Sequence, residues 1–141
     1  FFCTDAVAER YPDAVRAIVA DGHELGCHGH THRRFTALSA AEAHDELATA
    51  SAILRRHAPV DAFRAPNLVL PDAYLPLLAA HGYALDSSQA RYKAPWWRAR
   101  LGARFGARPG RAASAPVRRI PASTTSSVLR LPRAVREGVL A

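Results

Sequence analysis

Gly22-His23-Glu24-Leu25-Gly26-Cys27-His28-Gly29-His30-Thr31-His32 closes a helix, runs as a short strand from His23 to His28, and opens into a loop carrying three histidines. On its N-terminal side, Phe1-Phe2-Cys3-Thr4 is strand-like. Asp5 is placed there to cap one helix whose apolar face is Val7, Tyr11, Ala14 and Ile18, with Gly22 as its stop. On the C-terminal side, Ser39 and Glu42 form a capping box ahead of a helix with Ala43, Leu47, Ala50 and Leu54 along one face. Ala62-Phe63-Arg64 is a third strand. Pro71 and Asp72 open a third helix through Leu75, Leu78 and Ala79 to Gly82, and Tyr83-Ala84-Leu85 is a fourth strand ending at Asp86-Ser87-Ser88.

Strand and helix alternating at this spacing predict right-handed βαβ units, and therefore a parallel sheet, open or closed into a barrel. In such folds the chemistry sits at the carboxyl ends of the strands. Those ends are His28 to His32, Arg64 to Asn67, and Asp86 to Ser88.

The inventory fits one domain: 141 residues, 15.3 kDa, 49% apolar and 22% charged. No apolar run approaches the ~18 residues of a membrane-spanning helix, and two cysteines cannot make a disulfide framework. The absence of methionine and the buried-strand character of Phe1-Phe2 suggest an internal piece of a longer protein, in which case a secretory signal would lie outside the sequence and the compartment stays open. The net charge of +7 is polarised. Residues 1–90 hold 7 basic and 11 acidic side chains, and residues 91–141 hold 12 and 1. All seven histidines lie in the acidic part, so the histidine chemistry and the positive tail need separate explanations.

His28, His30 and His32 are the most informative side chains. In a helix-like turn His28 and His32 share a face and can grip one metal, with His30 on the far side; in an extended strand all three face one way. Zinc is the natural candidate for imidazole ligands. A group of histidines satisfied by ordinary hydrogen bonds is the plain alternative.

Two later motifs favour the metal. Taken with Gly22 to His32, Phe63-Arg64-Ala65-Pro66 and Tyr83-Ala84-Leu85-Asp86-Ser87-Ser88 resemble the polysaccharide deacetylases, the NodB-homology family of metal-dependent carbohydrate esterases (carbohydrate esterase family 4). The resemblance covers roughly residues 1–90, and the run from Gly22 to His32 is its most specific element. It implies an α/β fold that is part of a distorted (β/α) barrel, truncated at both ends. It also implies hydrolysis of an N-acyl amide on a sugar or polysaccharide, with an N-acylated glycan as substrate.

The resemblance further implies that His28 and His32 hold a divalent metal, Zn²⁺ first, together with an aspartate. Arg64 matches an arginine that orients the base carboxylate, Pro66 a residue shaping the groove wall, and Asp86 a buttress for Arg64. Asn67 falls where a backbone N–H faces the developing oxyanion, a donation that needs only the backbone.

Several departures accompany the likeness. The aspartate pair supplying base and third ligand is expected upstream of Phe1, and no histidine follows His81 to protonate the leaving amine. Gly29 and His30 replace the usual hydroxyl and aromatic residues, and Asn67-Leu68 the usual tyrosine-glycine. The expectation is an enzyme in the parent protein, with residues 1–141 as a single partial domain that by itself binds metal weakly and is inactive. His23 reads as a strand residue, Cys27 as a small buried hydrophobe.

The segment 91–116 reads as a basic, Trp-, Arg- and Pro-rich excursion, Val117 to Ala122 as a returning strand, and Leu131 to Ala141 as a helix. Trp96 and Trp97 suit stacking on pyranose rings. With the arginines of residues 91–141 they also suit an anionic membrane surface, whereas no nucleic-acid motif is present. Two other classes compete: an amidohydrolase-type barrel built on His28 and His30, which lacks the later metal histidines that class needs, and a catalytically degenerate barrel that binds glycan or polyanion. The sequence is silent on oligomeric state.

Overall fold

The computed structural model describes residues 1–90 and 117–122. Five short strands, β1 (Phe2–Cys3), β2 (Gly26–Cys27), β3 (Ala62–Phe63), β4 (Leu85–Asp86) and β5 (Arg118–Arg119), form one sheet. They pair in sequence order, and every pair is parallel. An order that never reverses belongs to a sheet winding one way, the progression of a barrel wall, and not to the doubly wound open sheet, whose order turns back at a switch point.

Four helices, α1 (Asp5–Arg10), α2 (Pro12–Ala20), α3 (Ala40–Leu54) and α4 (Leu75–Ala80), link the strands. The single helix expected from Asp5 to Gly22 is broken. Tyr11 leaves helical geometry at φ −132°, ψ 57°, because the following Pro12 lacks an N–H and crowds the residue before it. Asp5 lies inside α1, Thr4 holds the cap position, and Asp5 is fully buried. The helix expected from Pro71 is shorter, a 3₁₀ turn at Asp72–Tyr74 followed by α4. Between Gly22 and His28 the strand narrows to Gly26–Cys27, leaving His23 exposed before it.

The capping box of α3 forms in both directions: the Ser39 side chain accepts from the Glu42 N–H, and the Glu42 carboxylate accepts from the Ser39 N–H. Its apolar face, Ala43, Leu47, Ala50 and Leu54, is buried as the periodicity requires. Phe63 anchors the core beneath it, edge-on to Phe35 at 5.3 Å and tilted against Tyr83 at 5.6 Å. The buried Tyr83 hydroxyl shares a hydrogen bond with Ser51 of α3, and burial pushes its pKa upward.

Register places the site. Cys3 pairs with Cys27, Cys27 with Phe63, and Phe63 with Asp86. The next residue of each strand, Thr4, His28, Arg64 and Ser87, therefore stands in one row along the carboxyl edge.

Candidate active site

Row neighbours meet across the strand ends. His28 Nδ1 lies 2.6 Å from the Arg64 carbonyl oxygen. A carbonyl only accepts, so Nδ1 carries the hydrogen and the lone pair is on Nε2, the arrangement a metal-binding imidazole needs. Partial burial pushes the His28 pKa down against the opposing pull of that hydrogen bond, and the nearby His32 and Arg64 charges push the same way. A neutral ring is the ligand form.

The ring of His32 stands 5.0 Å from that of His28, centroid to centroid, at 65°. Zinc–nitrogen bonds of ~2.1 Å place two imidazoles of one ion about 5 Å apart, so the two rings fit neighbouring ligand positions. The loop reaches this arrangement through Gly29 at φ +84° and His32 itself at φ +58°, a left-handed conformation that a non-glycine residue adopts only where its surroundings impose it. Among the described residues no set of three His, Cys, Asp or Glu converges as a metal site. Among the described residues, His28 and His32 are the two imidazoles that stand side by side at this edge.

The sequence profile of the polysaccharide deacetylases matches residues 1–85. This chain belongs to the polysaccharide deacetylase family. The chitooligosaccharide deacetylase of Bradyrhizobium sp. (strain ANU 289) is 37% identical over 59 residues, 42% of this chain and 27% of that protein. A Mycobacterium smegmatis protein assigned to the polysaccharide deacetylases superposes with a TM-score of 0.60 at 27% identity, over 64% of this chain and 32% of its own. The family 4 carbohydrate esterase of Streptomyces lividans, solved with acetate, superposes with a TM-score of 0.57 at 23% identity, over 61% of this chain and 45% of that one. The chain therefore spans less than half the length of each. The fold is part of the NodB-type (β/α) barrel that these proteins share.

Arg64 extends from the edge of β3 with its Nη2 donating to Ser87 Oγ at 2.7 Å and its guanidinium over the Phe2 ring at 4.2 Å. The expected Asp86 buttress is corrected. The Asp86 carboxylate is fully buried and accepts from Arg119 Nε at 3.0 Å, its register partner on β5, and from the N–H and hydroxyl of Ser88. Ser87, one residue further along the edge, holds Arg64 instead. Arg119, counted with the basic tail, is committed to Asp86, Asp72 and the Leu70 carbonyl.

Pro66, expected in the groove wall, packs against the histidine loop. It is fully buried, its Cδ 3.9 Å from where a Cβ on Gly29 would stand. Asn67 follows it in a 3₁₀ turn at φ 61°, ψ 10°, exposed on the same edge. Trp96, Trp97, the 91–116 excursion and the Leu131–Ala141 helix lie outside the described residues.

Two carboxylates that hold the histidine loop escape sequence reading. Asp5, fully buried at the end of β1, accepts from His30 Nδ1 at 2.6 Å, and its other oxygen has no hydrogen-bond partner among the described residues. Glu46 of α3 accepts from the backbone of the histidine loop. Cys27 is fully buried, and desolvation raises its thiol pKa, which keeps it a packing residue. An open concavity lined by Arg55, Val60, Asp61 and Gly82 lies at the opposite, amino-terminal end of β3 and β4.

Proposed function

We propose that the protein hydrolyses an N-acyl amide, an acetamide first, on a sugar or polysaccharide, using a divalent metal held in part by His28 and His32. The observation that carries this reading is the hydrogen bond from His28 Nδ1 to the Arg64 carbonyl, which leaves Nε2 as a ligand beside the His32 ring. A bound divalent metal supplies a Lewis acid that polarises an acyl oxygen and lowers the pKa of water. Zinc is the first choice for two imidazoles.

His28 and His32 orient that centre at the carboxyl edge. Arg64, gripped by Ser87 and the Phe2 face, presents a fixed planar fork to a carboxylate. The Asn67 backbone N–H, on its tight turn, is assigned to the oxyanion. The proton acceptor and the remaining ligand are assigned to carboxylates outside the described residues, where the family resemblance puts an aspartate pair ahead of Phe1. Trp96 and Trp97 are assigned to pyranose stacking.

The test is acetate release from N-acetylated chitooligosaccharides by the zinc-loaded protein that carries this chain. His28→Ala and His32→Ala should each lower it by ~100-fold or more, beyond the 10–100-fold of an outer-shell loss. Unchanged rates in both would reject the assignment. Oligosaccharide binding without acetate release in the unmutated protein would favour a degenerate glycan-binding barrel.

A further inference from the structure

Glu46 is 5% exposed, at the end of the second turn of α3, and its carboxylate spends its acceptors on the loop between the two histidines. Oε2 accepts from the His30 N–H and the Thr31 N–H, both at 2.9 Å, and Oε1 accepts from the Thr31 hydroxyl. Burying a carboxylate is costly unless hydrogen bonds replace its water, and here the loop supplies three. The helix has no need of it, since α3 is capped by Ser39 and Glu42 and packs through Ala43, Leu47, Ala50 and Leu54. An apolar residue at position 46 would bury more favourably on that face.

The bonded pair, His30 and Thr31, is bracketed by the two left-handed residues, Gly29 at φ +84° and His32 at φ +58°. Two successive N–H groups converging on one oxygen require that kind of bend. An L-residue at φ > 0 persists only where its surroundings over-determine it. Glu46 is positioned to do that one residue before His32.

We infer that Glu46 is a positioning residue that sets the separation of the His28 and His32 rings, and with it the metal affinity of the site. The inference rests on the reading of His28 and His32 as ligands. Its chemistry is that of a carboxylate clamp: a carboxylate accepts all three bonds, whereas an amide at the same place leaves the two N–H groups on one neutral oxygen and turns its NH2 toward the Thr31 hydroxyl.

The experiment is titration of the whole chain with Zn²⁺, and with Co²⁺ followed by its visible absorption. Glu46→Gln should weaken Zn²⁺ binding 10–100-fold and shift the Co²⁺ bands, the loss expected when an outer-shell partner is removed. Ser51→Ala, which breaks the buried Ser51–Tyr83 bond of the same helix, should lower Tm while leaving affinity within about twofold. Thr31→Val removes one of the three bonds from the loop side and should weaken Zn²⁺ binding, and Thr31→Ser should restore it. This arm decides the matter if Glu46→Gln does not fold.

Wild-type affinity in Glu46→Gln or in Thr31→Val, with affinity lost in His28→Ala, would overturn the role of Glu46 alone. Affinity unchanged in His28→Ala and His32→Ala would overturn the ligand pair, and this inference with it.

Discussion

Asp5 and His30, twenty-five residues apart, meet at 2.6 Å at the carboxyl edge of the sheet, the carboxylate fully buried and the imidazole 41% exposed. The contact ties the end of β1 to the loop after β2, so the first helix and the histidine loop are held as one unit. Removing the imidazole leaves a buried carboxylate whose second oxygen already lacks a partner. His30→Ala should therefore cost about 1–3 kcal/mol in urea unfolding, the penalty of an unsatisfied buried group. Asp5→Asn, which removes the charge and keeps an acceptor, should cost less. The reverse ranking would show that the Asp5 charge itself stabilises the fold and would reject the stranded carboxylate as the source of the His30→Ala loss.

A second coupling runs through Gly26. A Cβ built there comes within 2.7 Å of the Phe2 ring and 3.2 Å of the Ala62 carbonyl, and the same ring carries Arg64, whose guanidinium lies 4.2 Å from the ring centroid. Gly26→Ala should destabilise by about 1–3 kcal/mol through overpacking and disturb Arg64 along with Phe2. Adding Phe2→Leu should recover part of the loss. Strict additivity of the two substitutions in a double-mutant cycle would contradict the steric explanation.

The elements that local signals define were legible in the sequence. The Ser39–Glu42 box and the Ala43, Leu47, Ala50, Leu54 stripe need only neighbours three or four residues away, and both form. The row of edge residues was legible because βαβ alternation fixes where strands end. What depends on cross-strand register was not. Asp86 and Arg64 carry opposite charges at adjacent strand ends, which suggests a pair, yet Asp86 stands opposite Arg119 and Arg64 beside Ser87. Asp5 ahead of a helical stretch reads as a cap in any sequence, and only the pairing of β1 with β2 turns it toward His30. Glu46 within a helix looks like a solvated charge until the loop folds over it.

The capping box sets an acid limb of stability. Hydrogen bonds from Ser39 and Arg33 hold the Glu42 pKa down, from 4.5 to about 2. A depressed folded-state pKa means that the unfolded chain takes up the proton first. The contribution is fully present above pH 4.5 and is lost as pH falls through about 2. The urea midpoint of the wild type should therefore fall more steeply between these limits than that of Glu42→Gln. Parallel profiles would remove Glu42 from the acid response.

Asn67 offers a test that separates backbone from side chain. Its φ of 61° and ψ of 10° put it in the left-handed region, which asparagine and glycine tolerate and β-branched residues do not. If the turn matters through its backbone N–H, the requirement at this position is conformational, so Asn67→Gly should keep both the fold and acetate release by the complete protein. Asn67→Val should lose stability by ~1–2 kcal/mol, the cost of left-handed backbone for an L-residue, and lose activity because the turn opens. Both variants remove the same side-chain amide and differ in the backbone they permit. Equal loss of activity in the two, with the Gly variant fully folded, would assign the function to the amide side chain and withdraw the backbone role.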